Sequence, residues 1–211
     1  MARVLVLYYG AYGHIETLAQ AVVEGARSAP GTDVTLKRVK ELFTIDEAKA
    51  RHQKTEFVAP EANPEELKDY DAVIFGTATR YGMMAASMKH FLDQTGALWF
   101  TGALIGKLAS IFTSANTQHG GQDAAILNFQ TVLQHLGMII VPIGFASPAI
   151  SNVDEISGGS PYGASIVAGT LQKPKPVSEN EKEIARYQGK FVAETADALV
   201  KGRALRNNPG A

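Results

Sequence analysis

Five short apolar runs, Val4–Tyr9, Asp33–Val39, Asp71–Thr77, Lys107–Thr113 and Met138–Ile143, recur along the chain with helical patterns between them. Most are continuous rather than alternating, as strands become when helices cover both faces of a parallel sheet. Asp33–Val39 does alternate, and belongs near an edge. The first helical pattern places Ile15, Leu18, Ala19, Val22, Val23 and Ala26 on one face. Later ones place Met84, Met88, Phe91 and Leu92, then Ile126, Phe129, Leu133 and Leu136, and finally Ile184, Tyr187, Phe191, Thr195 and Leu199. The fold class expected is α/β: a doubly wound, five-stranded parallel sheet with helices on both faces. Such sheets bind ligands beyond the carboxyl ends of their strands, where strand order reverses. Function is therefore expected in the loops after the first, third and fourth strands.

With 211 residues and 45% hydrophobic content, residues 1–200 are expected to form one domain, leaving 201–211 as a frayed tail. Residues 41–66 read as a solvated insertion with one or two helical turns. Twenty basic residues against 21 acidic ones leave a formal charge of -1, and no basic tract suggests capture of nucleic acid. There are no cysteines, which excludes disulfides, thiolate metal sites and a thiol nucleophile. No leader pattern follows Met1 and no run approaches ~18 apolar residues, so a soluble cytoplasmic protein without membrane insertion is expected. His14, His52, His90, His119 and His135 form no i, i+3 or i, i+4 pair, so no metal site is expected.

The first loop, "GAYGHIET" (Gly10–Thr17), joins a strand to a helix. Free N–H groups at a helix start hold a phosphate without a lysine, glycines at 10 and 13 let the main chain approach it, and Thr17 offers a hydroxyl. The loop lacks the third glycine of the usual dinucleotide motif and the Gly-Lys-Ser/Thr of a P-loop; a tight turn with no ligand is the other reading. The third-strand loop, "GTATRYGMM", suits a flat ring with Tyr81 on one face, or else Tyr81 caps the core. The fourth-strand loop, "TSANTQHGG", supplies hydrogen bonds to a second part of that ligand, or is an ordinary surface loop.

The stretches "VLVLYYGAYGHIETLAQAV", "DAVIFGTATRYGMM", "FLDQTGALWFTGALIGKLAS", "HGGQ", "HLGMIIVPIG", "GGSPYGAS" and "ARYQGKFVAETA" together resemble the WrbA family of flavodoxin-like NAD(P)H:quinone oxidoreductases, over Val4 to about residue 200. The resemblance implies strand order 2-1-3-4-5 and FMN bound without a covalent link. Its phosphate is expected against Gly10, Ala11, Tyr12, Gly13, His14 and Ile15 with Thr17 nearby, and its ring against Thr79, Arg80 and Tyr81. The ring edge and ribityl chain fall to Ser114, Ala115, Asn116, Thr117, Gln118 and Gly120. Tyr12 matches a position associated with the NAD(P)H cosubstrate, Trp99 the aromatic beside the quinone, and His135 a residue reaching a flavin site within a homotetramer built from homodimers. The implied reaction is two-electron reduction of a quinone to its hydroquinone by hydride transfer through the flavin, with His135 as the candidate proton donor; on the residue alone His135 reads as an ordinary helix-face histidine.

Two departures stand out. Gly10 occupies a position where the family commonly has serine or threonine, so Gly10→Ser is expected to tighten FMN; the fourth loop is about one residue longer than in some relatives. Other residues keep two readings each. Trp99 and Phe100 either tuck into their own core or lie at a subunit contact, and Arg80 either steers a phosphate of NAD(P)H or neutralises a carboxylate. Gly158–Ser165 is either a connector or a wall of the quinone pocket or subunit interface, in a loop of ~30 residues without secondary structure. Two other functions, a flavodoxin-type electron carrier and a transcription-associated interaction protein, want a charged docking face and a basic patch that this composition does not supply.

Overall fold

A computed structural model describes residues 1–170 and 172–207. Strand β1 (Ala2–Tyr9) leads into helix α1 (His14–Ser28) and strand β2 (Thr32–Arg38). After helix α2 (Ile45–Ala50) and a 3-10 turn at Pro64–Asp69 come β3 (Ala72–Arg80), β4 (Met83–Met84), α3 (Ala86–Asp93) and α4 (Gly96–Phe100). Then follow β5 (Leu108–Ala115), α5 (Gln122–His135), β6 (Ile139–Ile140), a 3-10 turn at Pro148–Ser151, β7 (Ser165–Val167) and α6 (Glu179–Asn207). Helix α6 continues past residue 201, where the frayed tail was expected to begin; residues 208–211 lie outside the described residues.

The sheet runs β2-β1-β3-β5-β6, all parallel, which is the expected order 2-1-3-4-5. Side chains alternate between its faces, and both faces are covered. Val4, Val6 and Tyr8 meet Ile15, Leu18 and Val22 of α1 and Ile184 and Val192 of α6 on one side. Leu5 and Leu7 meet Met88 and Phe91 of α3 and Ile126, Phe129 and Leu133 of α5 on the other. The half-buried β2 is at the edge, as its alternation predicts.

The fifth strand position is split. β6 pairs with β5 only at Leu108↔Ile139 and Ala109↔Ile140, and β7 takes over at Thr113↔Ser165 through Ala115↔Val167. The expected strand to Ile143 stops early because the Ile143 N–H, next in line for the ladder, donates to the Pro161 carbonyl at 3.1 Å. The side chain of Gln188, fully buried on α6, fills the break. It donates to the Ile111 carbonyl (2.9 Å) and to Ser110 Oγ (2.7 Å), and accepts from the Ala164 N–H (2.9 Å).

Candidate functional site

A cleft of about 730 Å³ lies at the carboxyl ends of β1, β3, β5 and β7. Its floor and walls include Gly10, Ala11, Tyr12, His14, Ile15, Thr79, Arg80, Tyr81, Ser114, Ala115, Asn116, Thr117 and Gly120. Three loops far apart in sequence thus converge on one site, as expected from their positions.

In the first loop, Gly13 caps α1 with φ 90°, and no side chain caps the helix. The first-turn N–H groups have no intrahelical partner and form the positive end of the dipole. His14 Nε2 lies 3.1 Å from the Lys175 carbonyl, which can only accept, so this nitrogen carries the proton. Thr17 departs from expectation. Its hydroxyl donates to the Gly13 carbonyl (3.1 Å), and with Gly13 it lines a separate cavity of about 480 Å³ that also touches Tyr12 and His14. Beneath the loop, burial and a 2.6 Å bond to Glu41 push the Tyr9 phenol up to about 12.

Gly10 also requires a correction. A Cβ there would lie 2.8 Å from Ile15 Cβ, an atom that truncation of Ile15 short of glycine does not remove. Gly10→Ser therefore forces the loop apart instead of adding a free hydroxyl. The variant is expected to lose about 1–3 kcal/mol of stability and to bind FMN more weakly than the parent, measured by thermal denaturation and flavin titration. Tighter binding with unchanged stability would reject this packing account.

The third-strand loop is a hairpin. Thr79 pairs with Met84 and Arg80 with Met83, and the connecting Tyr81–Gly82 both have positive φ, 54° and 75°. This is the two-residue turn whose twist matches paired strands, with a tyrosine where asparagine or glycine is favoured. Tyr81 is 103% exposed, so it does not cap the core. Asn128 Nδ2, midway along α5, donates to the Gly82 carbonyl (2.9 Å), and Thr79 Oγ1 to that of Gly121 (3.4 Å) at the helix cap, fixing the hairpin to α5 at two points. Arg80 Nη1 donates to the Thr79 carbonyl, and Arg80 forms no ion pair among the described residues, which removes the neutralising role.

In the fourth-strand loop, Thr113 Oγ1 donates to the Thr77 carbonyl (2.6 Å) and Gln122 Nε2 to that of Thr117 (2.9 Å). Gln118 is turned away, into a neighbouring cavity of about 420 Å³ shared with His119, Gly158 and Gly159. The cleft's remaining wall, Ala168, Gly169, Thr170 and Pro174, belongs to a turn after β7 that sequence reading did not single out. Glu181, fully buried, anchors this region by accepting from the N–H groups of Gly158 (3.0 Å), Val167 (2.9 Å) and Ser178 (2.9 Å).

Trp99 and His135 are not in the cleft. Trp99 and Phe100 on α4 are 61% and 84% exposed, which rules out the reading that they fill their own core. His135 is exposed at the far end of α5, whose 14 residues carry it about 20 Å from the helix start beside the cleft. Gly158–Ser165 packs closely against β5: a Cβ on Gly163 would lie 2.0 Å from the Ile111 carbonyl. No group of three or more His, Cys, Asp or Glu residues gathers as metal ligands among the described residues.

The cleft's size is that of a small-molecule site, its one end a bare helix start for a phosphate ester, its other end an exposed aromatic beside strand-end amides. These residues fit FMN. A model of the NADPH-dependent FMN reductase family matches residues 2–151. A curated relative from Brucella anthropi, NAD(P)H dehydrogenase (quinone), is 55% identical over 199 residues, covering 94% of this chain and 99% of the relative. Among solved structures, a WrbA-like flavodoxin from Agrobacterium tumefaciens superposes with a TM-score of 0.65 at 22% identity, over 94% of this chain and 99% of that one. Oxidised flavodoxin 2 from Bacillus cereus does so at 0.57 and 18% identity, over 94% and 99%. These last two likenesses bear on the fold. The family match and the identity to the Brucella relative show that the chain belongs to the NADPH-dependent FMN reductase family.

Proposed function

We propose that this chain is an FMN-dependent NAD(P)H:quinone oxidoreductase. The observation that carries the reading is the convergence of a bare helix start, an exposed strained tyrosine and a polar strand-end loop on one cleft. Bound FMN supplies the acceptor and donor of a hydride equivalent, passing two electrons from NAD(P)H to the quinone. The first-turn N–H groups of α1 and the loop Gly10–Ile15 hold its phosphate; Thr79, Arg80 and Tyr81 flank the ring. Ser114, Ala115, Asn116, Thr117 and Gly120 bond its edge and ribityl chain. Tyr12 and Arg80 stand at the rim, where a nicotinamide dinucleotide enters. Stacking the cosubstrates in one slot supplies most of the rate enhancement through orientation.

Trp99 and His135 act across subunits in this reading. Exposed aromatics on α4 and a histidine remote from its own cleft support a homodimer paired into a homotetramer, in which each subunit completes a neighbour's site. A cytoplasmic location goes with the use of NAD(P)H. Among the described residues no helix is long and apolar enough to cross a membrane.

Flavin absorbance of the purified or FMN-reconstituted protein, identification of the released flavin, and NADH or NADPH oxidation with benzoquinone test the reading together. FMN release with rapid quinone-dependent oxidation is expected. Reduction only through a separate reductase protein would make the chain an electron carrier, and failure to take up flavin would sink both functions.

Tyr81 offers a sharper test. A tyrosine held at φ 54° is strained, and the strain persists where it serves a purpose. Tyr81→Asn is expected to raise stability by about 1 kcal/mol, because asparagine tolerates the left-handed region. It should also lower quinone-reductase kcat/KM about tenfold through loss of the stacked ring. Stability and activity falling together would contradict this division of roles.

A further inference from the structure

Glu16 occupies the first turn of α1, immediately after the loop Gly10–Ile15, and its side chain is only 6% exposed. A buried carboxylate beside a phosphate-binding helix start opposes the dianion that the backbone N–H groups attract. Two neighbours offset it only in part. The Tyr8 hydroxyl lies buried beside it but brings no positive charge, since burial first and then the Glu16 carboxylate hold its phenol far above the usual range. Arg38 is engaged by Glu61 at 2.7 Å.

The compensating cation comes from the insertion between β2 and β3. Lys54 Nζ forms an ion pair with the Glu16 carboxylate. The Lys54 backbone N–H donates to the Ala11 carbonyl at 2.7 Å, so the same residue is bonded to the loop itself. Phe57 lies under both Lys54 and Arg38, with their charged groups 5.5 Å and 4.7 Å from its ring centroid, and steadies the segment.

We propose that residues 45–59 form a charge-compensating strap on the phosphate loop, with Lys54 a positioning residue that lets Gly10–Ile15 accept the dianionic phosphate of FMN. The strap holds the loop by its Ala11 carbonyl and cancels the Glu16 charge in one contact. The inference rests on the FMN reading of the cleft.

A comparison of FMN with riboflavin, which lacks the phosphate, tests it on flavin-free protein at pH 8 by quenching of flavin fluorescence. Lys54→Met is expected to raise the Kd for FMN about thirtyfold while leaving that for riboflavin within about twofold, since only the phosphate feels the uncovered charge. Glu16→Gln should lower the FMN Kd several-fold, about threefold or more, by leaving Lys54 unneutralised. The double variant Glu16→Gln/Lys54→Met, which buries no unpaired charge, should return to within about threefold of the parent and guards against misfolding of the single lysine variant. Equal weakening of both flavins by Lys54→Met, weaker FMN binding by Glu16→Gln, or no recovery in the double variant overturns the strap. A parent protein that binds neither flavin instead overturns the FMN reading on which it stands.

Discussion

Gln188→Leu is expected to destabilise the protein by about 4 kcal/mol, the sum of two buried backbone groups left without partners at about 1–3 kcal/mol each. The orphans are the Ala164 N–H and the Ile111 carbonyl, both bonded now only through the Gln188 amide in the break of the fifth strand. Ser110 Oγ is spared, since it also donates to the Val141 carbonyl at 2.8 Å. Leucine matches the volume and adds apolar surface, but at a fully buried position that gain is well under the desolvation loss. A domain of this length should lose about 10 °C in Tm. Gln188→Glu tests the donor half separately: its carboxylate still accepts from Ala164 but faces the Ile111 carbonyl with no proton to offer. It should be no better than leucine near neutral pH. A Tm shift below about 3 °C for the leucine variant would mean that the ladder closes without the glutamine. Flavin affinity should fall as well, because β7 sets the cleft wall at Ala168 and Gly169.

That glutamine also marks where sequence reading stops. The α1 stripe was legible because bulky aliphatic residues repeat on the face that meets the sheet. The α6 stripe was only partly so: Ile184 is buried, yet Tyr187, Phe191, Thr195 and Leu199 are half-buried, and the covered face runs through Ala185, Gln188, Val192 and Ala196. The cause is a close helix crossing, since a Cβ on Gly25 would lie 1.9 Å from the Arg186 carbonyl and one on Gly189 1.9 Å from that of Val22. Periodicity registers apolar bulk and so misses a face made of glycine and alanine. The short β7, three residues long, gives no local signal either, and with it went the wall at Ala168–Thr170. The three principal loops were legible because topology alone places them at one edge of the sheet. Thr17 and Gln118 were plausible by residue type, but one hydroxyl finds an acceptor on its own helix and one amide lies in the next cavity. Ser178-x-x-Glu181 has the spacing of a capping box, which sequence analysis did not register, and Glu181 does bond the Ser178 N–H; that it also gathers Gly158 and Val167 is a tertiary fact.

Gly121→Val is expected to lower FMN affinity at least about hundredfold while costing about 3 kcal/mol of stability, for one local reason. Gly121 caps α5 at φ 96°, a conformation that a β-branched residue does not adopt without strain. A Cβ there would also lie 3.3 Å from the Cα and N of Gly82 and 3.6 Å from Thr79 Oγ1. Relief requires either a change of φ, which redirects the Gly121 carbonyl away from Thr79, or withdrawal of the hairpin, which breaks the Asn128 bond to Gly82. Both movements displace Thr79, Arg80 and Tyr81 from the loop Ser114–Gly120 across the cleft, so the site opens even if the core holds. Gly82→Ala separates hairpin strain from loop approach, because Gly82 also has positive φ but its Cβ would meet only the Ala124 methyl, at 3.3 Å. It should cost about 1 kcal/mol and weaken FMN less than tenfold. Equal flavin affinities for the two variants, measured by titration of flavin-free protein, would show that positive φ alone governs the hairpin. The expected gap between them would place the control at the contact of Gly121 with Gly82, where the third- and fourth-strand loops are held to the spacing that the flat ring requires.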